Sequence, residues 1–189
     1  MKTPEKCYFS SFREVVKAVN STLEVQEVLN LLVNRVVQVM ELKACAIRLL
    51  HAKKRTLELM ASHGLSEGYI QKGPVDADRS IAEAMQGKTV IVDNIAQDPR
   101  AQYPEEAAAE GIVSMVSVPL SVKGRIIGVM RLYTGEPRAF SEEELEFAES
   151  LAEIGAIAIE NAKMYERIKK DYESVMSDVY NFVGYRRSI

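Results

Sequence analysis

Residues Val113 to Asn161 constrain this chain more than any other stretch. They read VSMVSVPLSVKGRIIGVMRLYTGEPRAFSEEELEFAESLAEIGAIAIEN. Two apolar runs, Val113 to Val122 and Arg125 to Tyr133, meet at the basic turn Lys123-Gly124-Arg125. That pattern predicts a long β-hairpin, and an apolar hairpin needs cover. The cover follows in the chain as a helix with a well-marked start. Ser141 and Glu144 have capping-box spacing, and Phe140 is placed to staple onto Leu145. Glu142, Glu143 and Glu144 all fall in the first turn, where the helix dipole favours negative charge.

That helix does not end where a compact domain should. Tyr165, Ile168, Tyr172, Val175, Val179 and Phe182 continue at alternating spacings of three and four, the heptad rhythm. A helix from Ser141 to Val183 would be about 65 Å long at about 1.5 Å per residue. The expected division is residues 1–165 as a domain and 166–189 as a coiled-coil-like extension. Such a stripe needs a partner, most simply the same helix of a second copy. The alternative is a turn near Tyr172 that folds the chain back on its own domain.

Upstream, Phe9, Phe12, Val16 and Val19 mark an amphipathic helix over residues 9–19. Ser21 and Glu24 suggest a capping box for a second helix, which carries Leu23, Val25, Val28, Leu29, Leu32, Val36, Val39 and Met40. Ala44 to Leu50 and Thr56 to His63 read as strands, joined by a basic turn. Gly64, Gly68, Gly73 and Pro74 break the next segment into loop. A short helix from Ser80 to Gln86 closes at Gly87, and Thr89 to Val92 forms a short strand. Asp98-Pro99 starts a turn, and a helix over 105–110 stops at Gly111.

The order of elements resembles a GAF domain, a small-molecule sensing module. The matching residues are Val118-Pro119-Leu120, Gly124, Ile127-Gly128-Val129, Phe140 before the acidic helix start, and Ala158-Ile159-Glu160-Asn161-Ala162. The resemblance spans roughly residues 10 to 165. It implies an α+β fold with a central antiparallel sheet. Terminal helices cover one face, loops and short helices cover the other, and a long C-terminal helix follows. Family ligands lie under the loops.

Strand alternation assigns the faces. Cys45, Ile47, Leu49, Leu57, Leu59, Ala61, Val116, Val118 and Leu120 form one apolar face, suited to the helices. Ala46, Arg48, Glu58, Met60, Met115 and Ser117 fall on the other, with Arg131 and Tyr133 joining them because an unpaired charge is costly under packed helices. The loops between Gly64 and Gly111 add Ile81, Met85, Asn94 and Tyr103. The candidate ligand site is thus Ala46, Arg48, Met85, Asn94, Tyr103, Met115, Ser117 and Arg131. Since the resemblance makes the first and last strands neighbours, Arg48 and Arg131 would converge. Paired guanidiniums suit a carboxylate or phosphate. The competing arrangement is a cross-strand ion pair of Arg48 with Glu58 on a solvated face.

Other chemistry finds little support. With 24 basic and 27 acidic residues interspersed, net charge −3, nothing calls for nucleic acid or an anionic membrane. No apolar run of 18 residues exists, and no h-region follows the first lysines, so a cytoplasmic protein is expected. Cys7 and Cys45 lack metal spacing and read as free thiols. Methionine-sulfoxide reductases of this fold use several cysteines, bilin-binding relatives a Cys commonly beside a His, and haem an axial His; His51 and His63 sit at strand ends instead. The fragments of the cyclic-nucleotide constellation, such as Asn94, are too few to assign that ligand. No Walker loop or Ser/His/Asp set is visible. The expectation is a non-catalytic sensor that binds an unidentified small molecule, names no cofactor, forms a homodimer and signals to a partner or a further effector domain. The alternatives are a ligand-free dimerisation module and an enzyme on the same fold.

Overall fold

The computed structural model describes residues 4–22, 24–51, 53–78 and 82–186, with side chains from 8 to 177. Helices α1 (Pro4–Ser21) and α2 (Val25–Val39) precede strands β1 (Ala44–His51) and β2 (Thr56–His63). Then come α3 (Glu67–Ile70), β3 (Val75–Asp76), a 3-10 turn at Ala84–Gln86, β4 (Val90–Val92) and α4 (Pro104–Glu110). The hairpin β5 (Ser114–Val122) and β6 (Arg125–Thr134) leads into α5 (Glu142–Arg186). The strands form one antiparallel sheet in the order β3-β2-β1-β6-β5-β4. This is the α+β architecture expected, with α1, α2 and the first half of α5 on one face and the loops on the other.

The helix-side core follows from periodicity. In α2 the buried set is Val28, Leu29, Leu32, Val33, Val36 and Val37, a stripe at spacings of three and four. It meets Cys45, Ile47, Leu49, Val116, Val118, Leu120, Met130 and Leu132 from the sheet. From α5 come Phe147, Ala148, Leu151, Ala152, Ala156 and Ile159. Gly155 lets α5 approach closely, since a Cβ there would lie 2.9 Å from Leu32 Cδ1.

The start of α5 is capped as the sequence predicts. Glu144 N donates to Ser141 Oγ (3.2 Å) and Ser141 N donates to Glu144 Oε2 (2.9 Å). Arg138 ties this corner together, pairing with Glu144 and donating to Met40 O at 2.6 Å. Ser141→Ala should lower stability by about 1 kcal/mol through loss of the cap. A chemical-denaturation midpoint shifted toward lower denaturant checks this.

Four expectations need correction. Ser21 does not cap α2: it closes α1 and donates to Ala18 O (3.2 Å), while Thr22 Oγ1 accepts from Glu24 N (3.0 Å). Helix α2 therefore starts from its N-cap Glu24 without a side-chain cap. The segment after Gly64 also holds more structure than a loop, namely α3 and β3. The helix near residues 80–86 is a 3-10 turn over Ala84–Gln86, closed by Gly87 at φ +88°; Ser80 and Ile81 lie outside the described residues, as does Leu23. The long helix itself is as expected: α5 runs unbroken past Tyr172, and the alternative turn there does not form.

The correction with most consequence lies in β2. Ile47 pairs with Ala61, but Arg48 pairs with Leu59, so Met60 is an extra residue, a β-bulge. Beyond it the alternation reverses. Ala61 stays with the helices, whereas Leu57 and Leu59 turn to the loop face and Met60 packs on the helix side. Glu58 lies opposite Leu49, with the His51 ring 4.0 Å from its carboxylate, and it does not pair with Arg48.

Candidate functional site

The loop face holds a cationic cleft. In the β1–β6 ladder Arg131 lies opposite Ala46, and Arg48 stands two residues along β1 on the same face. Ser117 faces Arg131 from β5. Arg48 and Arg131 are each only 4% exposed. Arg48 Nε and Nη2 have no hydrogen-bond partner. Tyr133 Oη adjoins Arg48 and favours its charge without meeting hydrogen-bond geometry. Burial, and then Arg131, push the Arg48 pKa below its ordinary value.

The roof comes from α3 and the loop after it. Tyr69 sets its ring edge-on to Tyr133, centroids 6.0 Å apart at 86°. Lys72 Nζ lies 3.3 Å from the Tyr69 ring centroid and 5.8 Å from that of Tyr103, a cation–π arrangement. It also donates to Tyr69 O at 3.1 Å. Burial, reinforced by Arg48 and Arg131, lowers its pKa to about 7. The ends of this roof are fastened. Ser66 caps α3 and is bound in turn by Glu110 of α4. Tyr103 Oη (2.7 Å) and Gln102 Nε2 (3.0 Å) both donate to Pro74 O. Gly73 sits beneath the Tyr103 hydroxyl at φ +127°, where a Cβ would come within 2.8 Å of that oxygen.

Tyr69, Lys72, Ile95, Ala101, Gln102, Tyr103, Met115 and Arg131 enclose a void of about 20 Å³. That is room for roughly one water. Of the residues named from sequence, Tyr103, Met115 and Arg131 line this void, while Ala46, Arg48 and Ser117 share the sheet face beside Arg131. Met85 and Asn94 do not. Met85 packs in a neighbouring apolar cluster with Leu57, Val75 and Val129. The Asn94 side chain is occupied in its own turn, accepting from Ala96 N at 3.1 Å. Sequence reasoning missed Tyr69 and Lys72, which lie in the segment read as loop; the Gly73-Pro74 pair beside Lys72 was the available signal of a shaped turn.

Cys45 falls on the helix face, fully buried, and burial raises its thiol pKa well above the ordinary range, so it stays a thiol. Among the described residues no cluster of His, Cys, Asp and Glu could hold a metal ion. None of the described helices is long and apolar enough to cross a membrane. Larger concavities lie elsewhere, as open grooves flanking α5 where it leaves the domain. One is about 780 Å³ and includes Val122, Ile157 and Met164; the other is about 500 Å³ and includes Leu49, Met60 and Ile159.

Comparison with known proteins places this geometry in context. The family description "GAF domain" matches residues 22–160. A methyl sulfide methyltransferase-associated sensor of Methanosarcina acetivorans is 31% identical over 176 residues, covering 89% of this chain and 18% of that protein. The formate hydrogenlyase transcriptional activator of Salmonella typhimurium is 24% identical over 181 residues, covering 92% of this chain and 26% of that protein. The chain therefore spans about a fifth to a quarter of these relatives' length. The GAF domain of an Acinetobacter phosphoenolpyruvate-protein phosphotransferase shares the fold with a TM-score of 0.72 at 23% identity, covering 87% of this chain and 97% of that one.

Proposed function

This chain belongs to the GAF family, and from that premise we propose that it is a non-catalytic sensor that binds a small molecule beneath the loops and signals through α5 in a homodimer. The observation that carries the reading is the cleft itself. Arg48 is buried with open donors, and among the described residues no ion pair includes Arg48 or Lys72. A fold that needed only stability would gain by replacing such a charge with an apolar side chain.

Coupling has a short path. Met115 and Arg131 face the cleft, while Val116, Val118 and Leu132 on the same two strands pack with Leu151 and Ala152 of α5. A ligand that shifts the hairpin shifts the seat of the helix. That differential contact is what a sensor requires. In the described part of α5 beyond the domain, Met164, Tyr165, Ile168, Tyr172 and Val175 are all exposed, and the flanking grooves would widen the seat for a second copy. Val179 and Phe182 continue the heptad in sequence, but their side chains lie outside those described. The sensor and activator relatives are several times longer, which fits an output carried by a partner or a further domain.

The void of about 20 Å³ favours a second reading, a module whose ligand face is filled by its own side chains and which only dimerises. Native mass spectrometry of protein purified from its own host separates the two. The sensor reading expects a dimer carrying a small-molecule adduct. A dimer without an adduct favours the filled module, and a bare monomer removes both.

A further inference from the structure

Resting on the homodimer in the sensor reading, we propose that Asn161 fixes the orientation and register of the pair, by meeting its own counterpart across the two-fold axis of a parallel dimer. The domain leaves one face of α5 open. Leu151, Ala152, Ala156 and Ile159 turn inward to the core. On the far side Ile157, Asn161, Met164, Ile168, Tyr172 and Val175 are exposed, with Tyr165 at the edge of the row. At about 100° per residue these six fall within an arc of about 80°, one narrow stripe along the helix. The stripe begins inside the domain, beside the hairpin turn at Lys123 and Gly124, and runs without a break into the extension. Upstream the same line is polar, carrying Glu146, Ser150 and Glu153.

Asn161 is the one polar residue in this stripe, and its amide has no hydrogen-bond partner among the described residues. Its neighbour Glu160 is instead held by Arg125 at 3.1 Å. Asn is a poor helix former, so helix propensity does not account for it here. A side-chain amide both donates and accepts, which makes it complementary to a copy of itself. A single Asn in an apolar helix seam selects one register, because the others leave it facing apolar side chains.

In a parallel pair in register, every apolar member of the stripe meets its own counterpart and Asn161 meets Asn161. An antiparallel pair centred on Ile168 also matches apolar to apolar, but it sets Asn161 against Val175. An antiparallel pair centred on Asn161 satisfies the amides, but it sends Tyr172 and Val175 against the polar turn of Glu146 and Ser150. A parallel slip of one heptad puts Asn161 on Ile168. Only the first arrangement both buries the apolar stripe and pairs the amide, and it leaves the two domains at the same end.

The test is thiol crosslinking of the full chain carrying Val175→Cys and Cys7→Ser, equilibrated in a glutathione redox buffer; the remaining thiol, Cys45, is buried. The parallel pair places position 175 opposite itself, whereas the antiparallel pairs place it opposite Asn161 or Phe147, so a covalent dimer is expected as the main product. Positions 161 and 175 are exposed, so the variants should fold. Adding Asn161→Leu should leave a dimer at least as tight by sedimentation equilibrium, because a polar seam residue gives up stability for register. The covalent fraction should nevertheless fall about twofold or more, since arrangements of equal stability share the population. Asn161→Asp should weaken the dimer about tenfold or more at pH 7, because two like charges would meet. A dimer that gives no covalent product at position 175 overturns the proposal while the homodimer stands. So does a covalent fraction that Asn161→Leu leaves unchanged, or a dimer that Asn161→Asp leaves equally tight. A full-length chain that sediments as a monomer removes the homodimer from the sensor reading, and this inference with it.

Discussion

Gly128→Ala should destabilise the domain by about 3 kcal/mol or more, the upper range for forcing extra volume into a packed core. Gly128 lies in β6 opposite Leu49, at the join between the two central strands. A Cβ there would sit 2.2 Å from Arg48 O and 3.0 Å from Leu49 Cα. Both are backbone atoms of the neighbouring strand, so no side-chain rotation relieves the clash. The β1–β6 ladder must part, and with it the floor under both cores. For a chain of this length the loss corresponds to a fall in melting temperature of about 6–12 °C. Gly68→Ala is the control, because its new methyl would meet nothing nearer than Ser66 Oγ at 3.9 Å. Calorimetric scans of both variants should separate them clearly. Equal melting points would mean that the central strands are not packed as described.

Removing residues 166–189 should convert a dimer into a soluble monomer at micromolar concentration. The domain buries its own helix-side face with α1, α2 and the first half of α5, so nothing of its own is left to cover the stripe beyond. Ile168, Tyr172 and Val175 are 62%, 64% and 60% exposed. Burying each against a partner contributes roughly 1.5–3 kcal/mol per fully covered side chain, and a symmetric pair doubles the set. That sum exceeds the lower estimates of what association costs in lost freedom. Deleting the segment removes it while leaving the domain core intact. Sedimentation equilibrium of the two lengths is decisive. A monomeric full-length chain, or a truncated one that dimerises as tightly, takes α5 out of the assembly.

Much of this fold was legible because its signals are local. The capping pair Ser141 and Glu144 lies within one turn, and the hairpin turn at Gly124 is marked by a residue free to take φ +75°. Strand alternation placed Arg48 on the loop face, and the cost of an unpaired charge under packed helices placed Arg131 there too. What was missed depends on contacts distant in sequence. Nothing in Leu59-Met60-Ala61 announces a bulge, since the extra residue is defined only by its partner strand. Strand β3 is two residues long and exists because Leu57 and Thr56 are there to pair with it. Lys72 looks like any surface lysine until α3 turns it over Tyr69. The family resemblance made the first and last strands neighbours, and the site's chemistry then had to come from particular side chains.

The bulge at Met60 reaches further than the geometry of one strand. Paired regularly, the same residues would put Met60 opposite Arg48 and Glu58 on the loop face opposite Leu50, diagonal to Arg48 and within reach of its charge. The inserted residue sends Glu58 away and brings Leu59 in its place. One residue of strand length thus sets the electrical sign of the cleft floor. Deleting Met60 would keep Leu59 opposite Arg48; only a regular pairing that retained Met60 would bring the carboxylate onto that face.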